Sequence, residues 1–123
     1  MLVASAPARA GEPAVTVDKI TLAGRGPQKL ERGVRRAVLV SYIARRRGQA
    51  TVRVVISKGR WKWRLEQARP VAVHTPGIWR WSITTRPPTT LPAGRYTMKA
   101  TVVLVRDGKR VGADVQTRRV IVT

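Results

Sequence analysis

Apolar and polar residues alternate along most of this chain, and Pro and Gly cut the alternation into short pieces. A period of two puts successive side chains on opposite faces of an extended backbone, so the pattern predicts strands rather than helices. Residues 15–22 read as a first strand, ended by Gly24-Arg-Gly-Pro27. Residues 34–44 read as a second. Arg35, Arg36, Leu39 and Ile43 also permit helical spacing there, but a candidate hairpin partner at 51–56, across the link 45–49, favours the strand. In 61–66, Trp61, Trp63 and Leu65 share one face and Lys62, Arg64 and Glu66 the other. A short edge strand at 70–74 and a turn at Thr75-Pro-Gly77 precede 78–84, where Trp79, Trp81 and Ile83 again share a side. Two adjacent prolines and a third nearby make 86–94 a loop. Beyond it, 96–106 is a long strand with Tyr96, Met98, Ala100, Val102 and Leu104 facing one way. Asp107-Gly108 is a turn signal, and 115–122 returns as the last strand. The expected class is all-β, an antiparallel sandwich of about seven to eight strands.

With 123 residues, 43% of them hydrophobic, the chain has material for one core and one domain. That domain is expected over 14–123, after a flexible leader at 1–13. Within the leader, Ala8-Arg9-Ala10 has the form of a signal-peptidase site, which marks the leader as a candidate signal-peptide remnant and the protein as secreted or of the cell envelope. The absence of cysteine excludes disulfides, thiolate chemistry and Cys-ligated zinc. No apolar run is long enough to cross a membrane as a helix.

Charge changes the picture more than any motif. The formal net charge is +19, and nineteen of the twenty-five basic residues are arginine. The segment 31–69 is the most biased, with twelve basic against two acidic side chains. A field of that strength attracts polyanions. The densest cluster, Arg45-Arg-Arg47, falls on the expected hairpin tip, and Arg35, Arg36 and Arg53 would extend it along the same hairpin. Arg60, Lys62 and Arg64 complete the set of candidate polyanion contacts. Edge-strand cations also keep sheets from pairing with one another, a purely structural use of the same residues.

Catalytic chemistry finds little to work with. One histidine, His74, stands beside Thr75-Pro76 and reads as a turn or edge-strand residue, and the six acids form no close pair outside turns. No enzyme, cofactor or metal site is expected. The four tryptophans supply most of the aromatic bulk in a chain without phenylalanine. Trp61, Trp63, Trp79 and Trp81 are expected in the core, as neighbours across one sheet; the alternative is an exposed stacking platform flanked by Arg60, Lys62, Arg64 and Arg80.

Leu91-Pro-Ala-Gly-Arg-Tyr-Thr-Met-Lys-Ala-Thr-Val102, followed by Asp107-Gly108 and Arg118-Arg-Val-Ile-Val122, resembles the end of bacterial Ig-like domains of the flagellar hook-capping and cell-envelope type. The resemblance implies an immunoglobulin-like sandwich used outside the cytoplasm as a spacer or interaction module. The motif also has a direct physical reading. Gly94 opens backbone geometry that other residues resist, and Tyr96 is placed to bury its ring while its hydroxyl reaches a backbone carbonyl. The expected function is a non-catalytic structural or interaction module with a cationic face toward an anionic envelope polymer or protein partner. A nucleic-acid-binding β-domain using the same arginines, and a virion or appendage subunit, are the alternatives.

Overall fold

A computed structural model describes residues 13–24, 27–66 and 69–123. Apart from Pro13, the expected leader lies outside the described residues. Nine strands follow in order: β1 (Val15–Leu22), β2 (Lys29–Leu30), β3 (Arg36–Ala44), β4 (Gly48–Lys58), β5 (Trp61–Glu66), β6 (Val71–Val73), β7 (Gly77–Thr85), β8 (Gly94–Arg106) and β9 (Lys109–Val122). The count exceeds the expected seven or eight by β2, which has only two residues; the three-residue β6 falls within the edge strand expected at 70–74. A small sheet runs β1-β3-β7 and a large one β2-β9-β8-β4-β5, with β6 also pairing β4. Every pairing is antiparallel except that of β2 with β9.

The alternation read from the sequence becomes the two inner faces. Val38, Val40, Tyr42 and Ala44 of β3 lie within the small sheet. Facing them from the large sheet are Ala50, Val52, Val54 and Ile56 of β4, with Tyr96, Met98, Ala100, Val102 and Leu104 of β8; all are at most 2% exposed. Full burial of each large apolar side chain contributes roughly 1.5–3 kcal/mol, so these rows are the main source of stability.

The expected hairpin between 34–44 and 51–56 does not form. β3 pairs β1 and β7, while β4 pairs β5, β6 and β8, so the two strands lie in different sheets. Arg45 supplies the physical reason. Its N–H donates to the Ala14 carbonyl at 2.7 Å, and its guanidinium to the Pro13 carbonyl at 3.1 Å and Thr16 Oγ1 at 2.7 Å. The residue is thereby tied to the rim of the small sheet, and Arg46 and Arg47 carry the chain across to the other. Alternation alone cannot tell a hairpin from such an arch, since both leave β-branched faces inside. The strand also begins at Arg36, leaving Val34 and Arg35 exposed in the preceding link.

The C-terminal turn and corner form as expected, but the last strand starts at Lys109 rather than 115 and β8 at Gly94 rather than 96. Asp107 and Gly108 both take positive φ, 52° and 74°, the requirement of a tight two-residue hairpin turn. Tyr96 is buried, and its hydroxyl donates to the Pro92 carbonyl at 2.7 Å, the geometry of a tyrosine corner. Gly94 has φ 145°, and a Cβ there would collide with the Lys58 ammonium. That ammonium donates to the Ala93 carbonyl at 3.3 Å and lies 5.8 Å from the Tyr96 ring centroid.

Candidate polyanion-binding face

The outer face of the large sheet is built by strand parity. Inward residues of β4, β5 and β8 are apolar, as are Val120 and Val122 of β9, while Asp114, Gln116 and Arg118 share that inward parity and the first and last of them bond β1. The residues between them point out together. Register then fixes their order across the sheet. Arg64 of β5 lies opposite Val55 of β4, which lies opposite Lys99 of β8, itself opposite Thr117 of β9. One row further on, Lys62, Ser57, Thr97 and Arg119 stand side by side in the same strand order. Arg95, Ile121 and Lys29 form the next row, and Glu66, Arg53, Thr101 and Val115 the row at the opposite end, so that one acid stands opposite Arg53 in register. Seven cations, Lys29, Arg53, Lys62, Arg64, Arg95, Lys99 and Arg119, are thus exposed on one face, interleaved with the hydroxyls of Ser57, Thr97, Thr101 and Thr117.

Only part of the sequence-predicted cluster belongs to this face. Arg53, Lys62 and Arg64 are brought together on it, with Arg60 exposed in the β4–β5 turn at its corner. Arg46 and Arg47 are exposed in the β3–β4 arch, near the β8–β9 turn and its own Arg106, Lys109 and Arg110, as the pairing of Gln49 with Val105 requires. They form a second cluster at one end of the sandwich. Because β3 and β4 are in different sheets, Arg35 and Arg36 do not extend the patch.

Arg36 and Arg45 are structural cross-links. The Arg36 Nε donates to the Ala23 carbonyl at 3.0 Å, and its Nη1 to the carbonyls of Pro27 at 3.0 Å and Lys29 at 3.1 Å. Arg32 reaches the carbonyls of Thr123 and Leu91, and Arg118 that of Ile20 at 2.6 Å. Guanidiniums suit this work because they present several donors in a rigid planar fork.

Sequence reasoning missed Lys29, Arg95, Lys99 and Arg119. The signal was available: once Tyr96, Met98 and Ala100 are assigned to the core, Arg95, Thr97 and Lys99 must point out. Composition by segment drew attention to 31–69 instead, whereas two neighbouring strands of the face lie near the C-terminus.

Three of the four tryptophans lie in or against the core as expected, and the fourth does not. Trp81 is buried at 6% exposure, Trp63 and Trp79 are half-buried against the core, and Trp61 is 43% exposed. They are not neighbours in one sheet, since β5 edges the large sheet and β7 edges the small one, so they form no single stacking platform either. Trp61 is exposed because it is the first residue after the β4–β5 turn, beyond the covered part of the inner face. Trp79 donates from Nε1 to the Thr75 carbonyl at 3.1 Å and meets the His74 ring edge-on, with centroids 5.8 Å apart. His74 itself is exposed in the link after β6.

Among the described residues, no three His, Asp or Glu side chains come together as metal ligands, and no helix is long and apolar enough to cross a membrane. Tyr42 has a hydroxyl pKa raised above 10.0 by desolvation, and it lies in the core away from the cationic face.

Two packed sheets, the crossing arch and the tyrosine corner define an immunoglobulin-like β-sandwich. Solved structures of the same fold agree. The C-terminal domain of wzt superposes with a TM-score of 0.71 at 10% identity, over 92% of this chain and 75% of that one. A Niemann-Pick type C2 protein from the Japanese carpenter ant gives 0.61 at 9% identity, over 92% and 96%. An alkylpurine DNA glycosylase from Pseudomonas fluorescens, bound to DNA containing an abasic-site analogue, gives 0.57 at 13% identity, over 89% of this chain and 30% of the enzyme. No family model matches the chain, and no curated protein matches it in sequence. At these identities the likeness is one of fold.

Proposed function

We propose that this protein is a non-catalytic interaction module that binds an anionic polymer on the outer face of its large sheet. The observation that carries the reading is the seven-cation array interleaved with hydroxyls, which five strands place on one surface. Cations held by a sheet are positioned before binding, and low-dielectric walls behind them strengthen their joint field. The polymer is read as one of the cell envelope, and the module as an extracytoplasmic domain of the hook-capping or cell-envelope type. The Ala8-Arg9-Ala10 leader and the Leu91–Tyr96 pattern support that setting.

A second reading, nucleic-acid binding, is favoured by the fold shared with part of a glycosylase bound to DNA. Both readings rest on charge, and salt separates charge-driven binding from sequence reading.

The test is binding of the full chain to an anionic polysaccharide, to neutral dextran and to duplex DNA across a salt series. The expected result is tight binding to the anionic polysaccharide that weakens steeply with salt, with none to dextran. Each exposed cation removed from the face should flatten the salt slope by about one unit. DNA affinity that survives physiological salt and changes with base sequence would replace this reading with the second. Absence of polyanion binding at low salt would end both.

A further inference from the structure

Six of the seven cations lie in two lines, with Lys62 beside them. Moving one strand across and one row along at each step, the register leads from Arg53 on β4 to Lys99 on β8, Arg119 on β9 and Lys29 on β2. A parallel line runs Arg64 on β5, Ser57 on β4 and Arg95 on β8. Strands about 4.8 Å apart and outward residues about 6.7 Å apart along a strand put successive members of a line roughly 8 Å from each other. Four members then span roughly 25 Å. The residues between the two lines, Val55, Thr97 and Ile121, are uncharged and make a neutral strip that runs alongside.

Resting on the proposed polyanion reading, we infer that this diagonal is a track for a single extended anionic glycan chain, seated with its charged groups on Lys99, Arg119 and Lys29. A line of equally spaced cations fits a linear chain whose charges recur at a matching interval. The hydroxyls of Ser57, Thr97 and Thr117 beside the track suit the hydroxyl-rich backbone of a sugar polymer, as donors and as acceptors. Single-stranded nucleic acid is the poorer fit, because such sites stack bases on aromatic rings. The described residues of this face carry no aromatic side chain: Trp61, Trp63, Tyr96, Tyr42, Trp79 and Trp81 all lie on inner-facing positions or in the other sheet. Sequence in duplex DNA is read by elements that enter a groove, whereas here the cations stand on the broad face of a five-strand array.

Two charge-reversal pairs with the same change in net charge separate the track from the overall field. Lys99→Glu with Arg119→Glu breaks the line. Arg46→Glu with Arg47→Glu alters the arch cluster and leaves the line intact. Binding would be measured by calorimetry with uronic-acid oligomers of graded length, after circular dichroism shows that each variant keeps the wild-type fold. The track pair should lose at least tenfold more affinity than the arch pair. Wild-type affinity should climb with oligomer length until the chain spans roughly 16 Å, the reach of Lys99, Arg119 and Lys29, and then level off.

Equal losses from both pairs would overturn the track while leaving polyanion binding in place. Unmeasurable binding of the wild type to every oligomer at low salt would remove the underlying reading as well. Tighter binding of single-stranded DNA than of a uronate oligomer of equal charge would overturn the choice of glycan.

Discussion

Asp114 on β9 accepts a hydrogen bond from the backbone N–H of Val17 on β1, at 2.7 Å, joining the two sheets at a break in strand register. The pairing of β1 with β3 slips between Val17 and Lys19, so Asp18 is an extra residue. This bulge lets Val15 and Val17 before it, and Ile20 and Leu22 after it, all reach the core. A bulge at a sheet edge exposes backbone groups, and Asp114 satisfies one of them. Arg118, four residues along β9, satisfies another at Ile20. Open strand edges invite pairing with other chains, and here one is closed by side chains.

Asp114→Ala should therefore destabilise the fold by about 1.5–3 kcal/mol, the range for a hydrogen bond to a charged partner. Asp114→Asn keeps an acceptor and should cost less. Urea denaturation measures both, and amide exchange should accelerate in β1 before it does in β8. Equal exchange in the two strands would show that the latch contributes nothing to the edge.

The tyrosine corner makes a paired prediction. Tyr96→Phe removes one hydrogen bond and should cost about 1 kcal/mol. Gly94→Ala should cost about 1–3 kcal/mol, because it forces an ordinary residue to φ 145° and also displaces Lys58. Thermal unfolding of the two variants and of Lys58→Met would rank the contributions.

Burial predicts different fates for the tryptophans. Trp81→Ala should cost about 3–5 kcal/mol, as truncations of large buried aromatics do. Trp61→Ala should cost about 1 kcal/mol or less, in keeping with a surface position. Acrylamide quenching should lose its most accessible component in Trp61→Phe. A buried Trp61 would instead leave the quenching profile unchanged.

Tyr42 gives the fold a pH dependence with a definite sign. Desolvation raises its pKa in the folded state above the ordinary 10.0, so above pH 10.0 the unfolded chain releases a proton that the folded one retains. Stability from this source is complete below pH 10.0 and declines as pH climbs from there toward the folded pKa. The informative quantity is the difference between wild type and Tyr42→Phe, which isolates this one hydroxyl. The gap should shift in favour of the variant as pH rises in urea titrations. A constant gap would contradict a desolvated hydroxyl.

Arginines sort into two groups with opposite expected phenotypes. Arg36→Met strips three carbonyls of a shared donor and should lower stability while leaving polyanion affinity of the folded protein within twofold. Arg119→Met should do the reverse.

Much of this architecture was legible in the residues. Strict alternation in 96–106, the Asp107-Gly108 turn and the Leu91–Tyr96 pattern led directly to β8, β9 and the corner. Long strands with tight turns specify their own pairing, because a one-residue slip would turn the apolar face outward. The β3–β4 arch was not legible. Its direction depends on hydrogen bonds from Arg45 to Pro13, Ala14 and Thr16, which are distant in sequence. The same holds for the cationic face: each outward residue could be read from its own strand. Their alignment requires knowing that β5, β4, β8, β9 and β2 are neighbours in that order, and non-local pairing leaves no local trace. Density of charge in sequence instead pointed to Arg45-Arg-Arg47, of which one member proves to be an internal strut.

The unequal sheets make the molecule electrically two-sided. On the outer surface of the small sheet the strands place only Lys19, Arg80 and the bulge residue Asp18 as charged side chains, among Thr16, Thr21, Leu39, Ser41, Ile43, Ile78, Ser82 and Thr84. A particle with its positive pole on one broad side rotates as it nears a negatively charged surface. On the proposed reading it would land with the large sheet inward and present the hydroxyl-bearing side, Ile78 included, to whatever lies beyond.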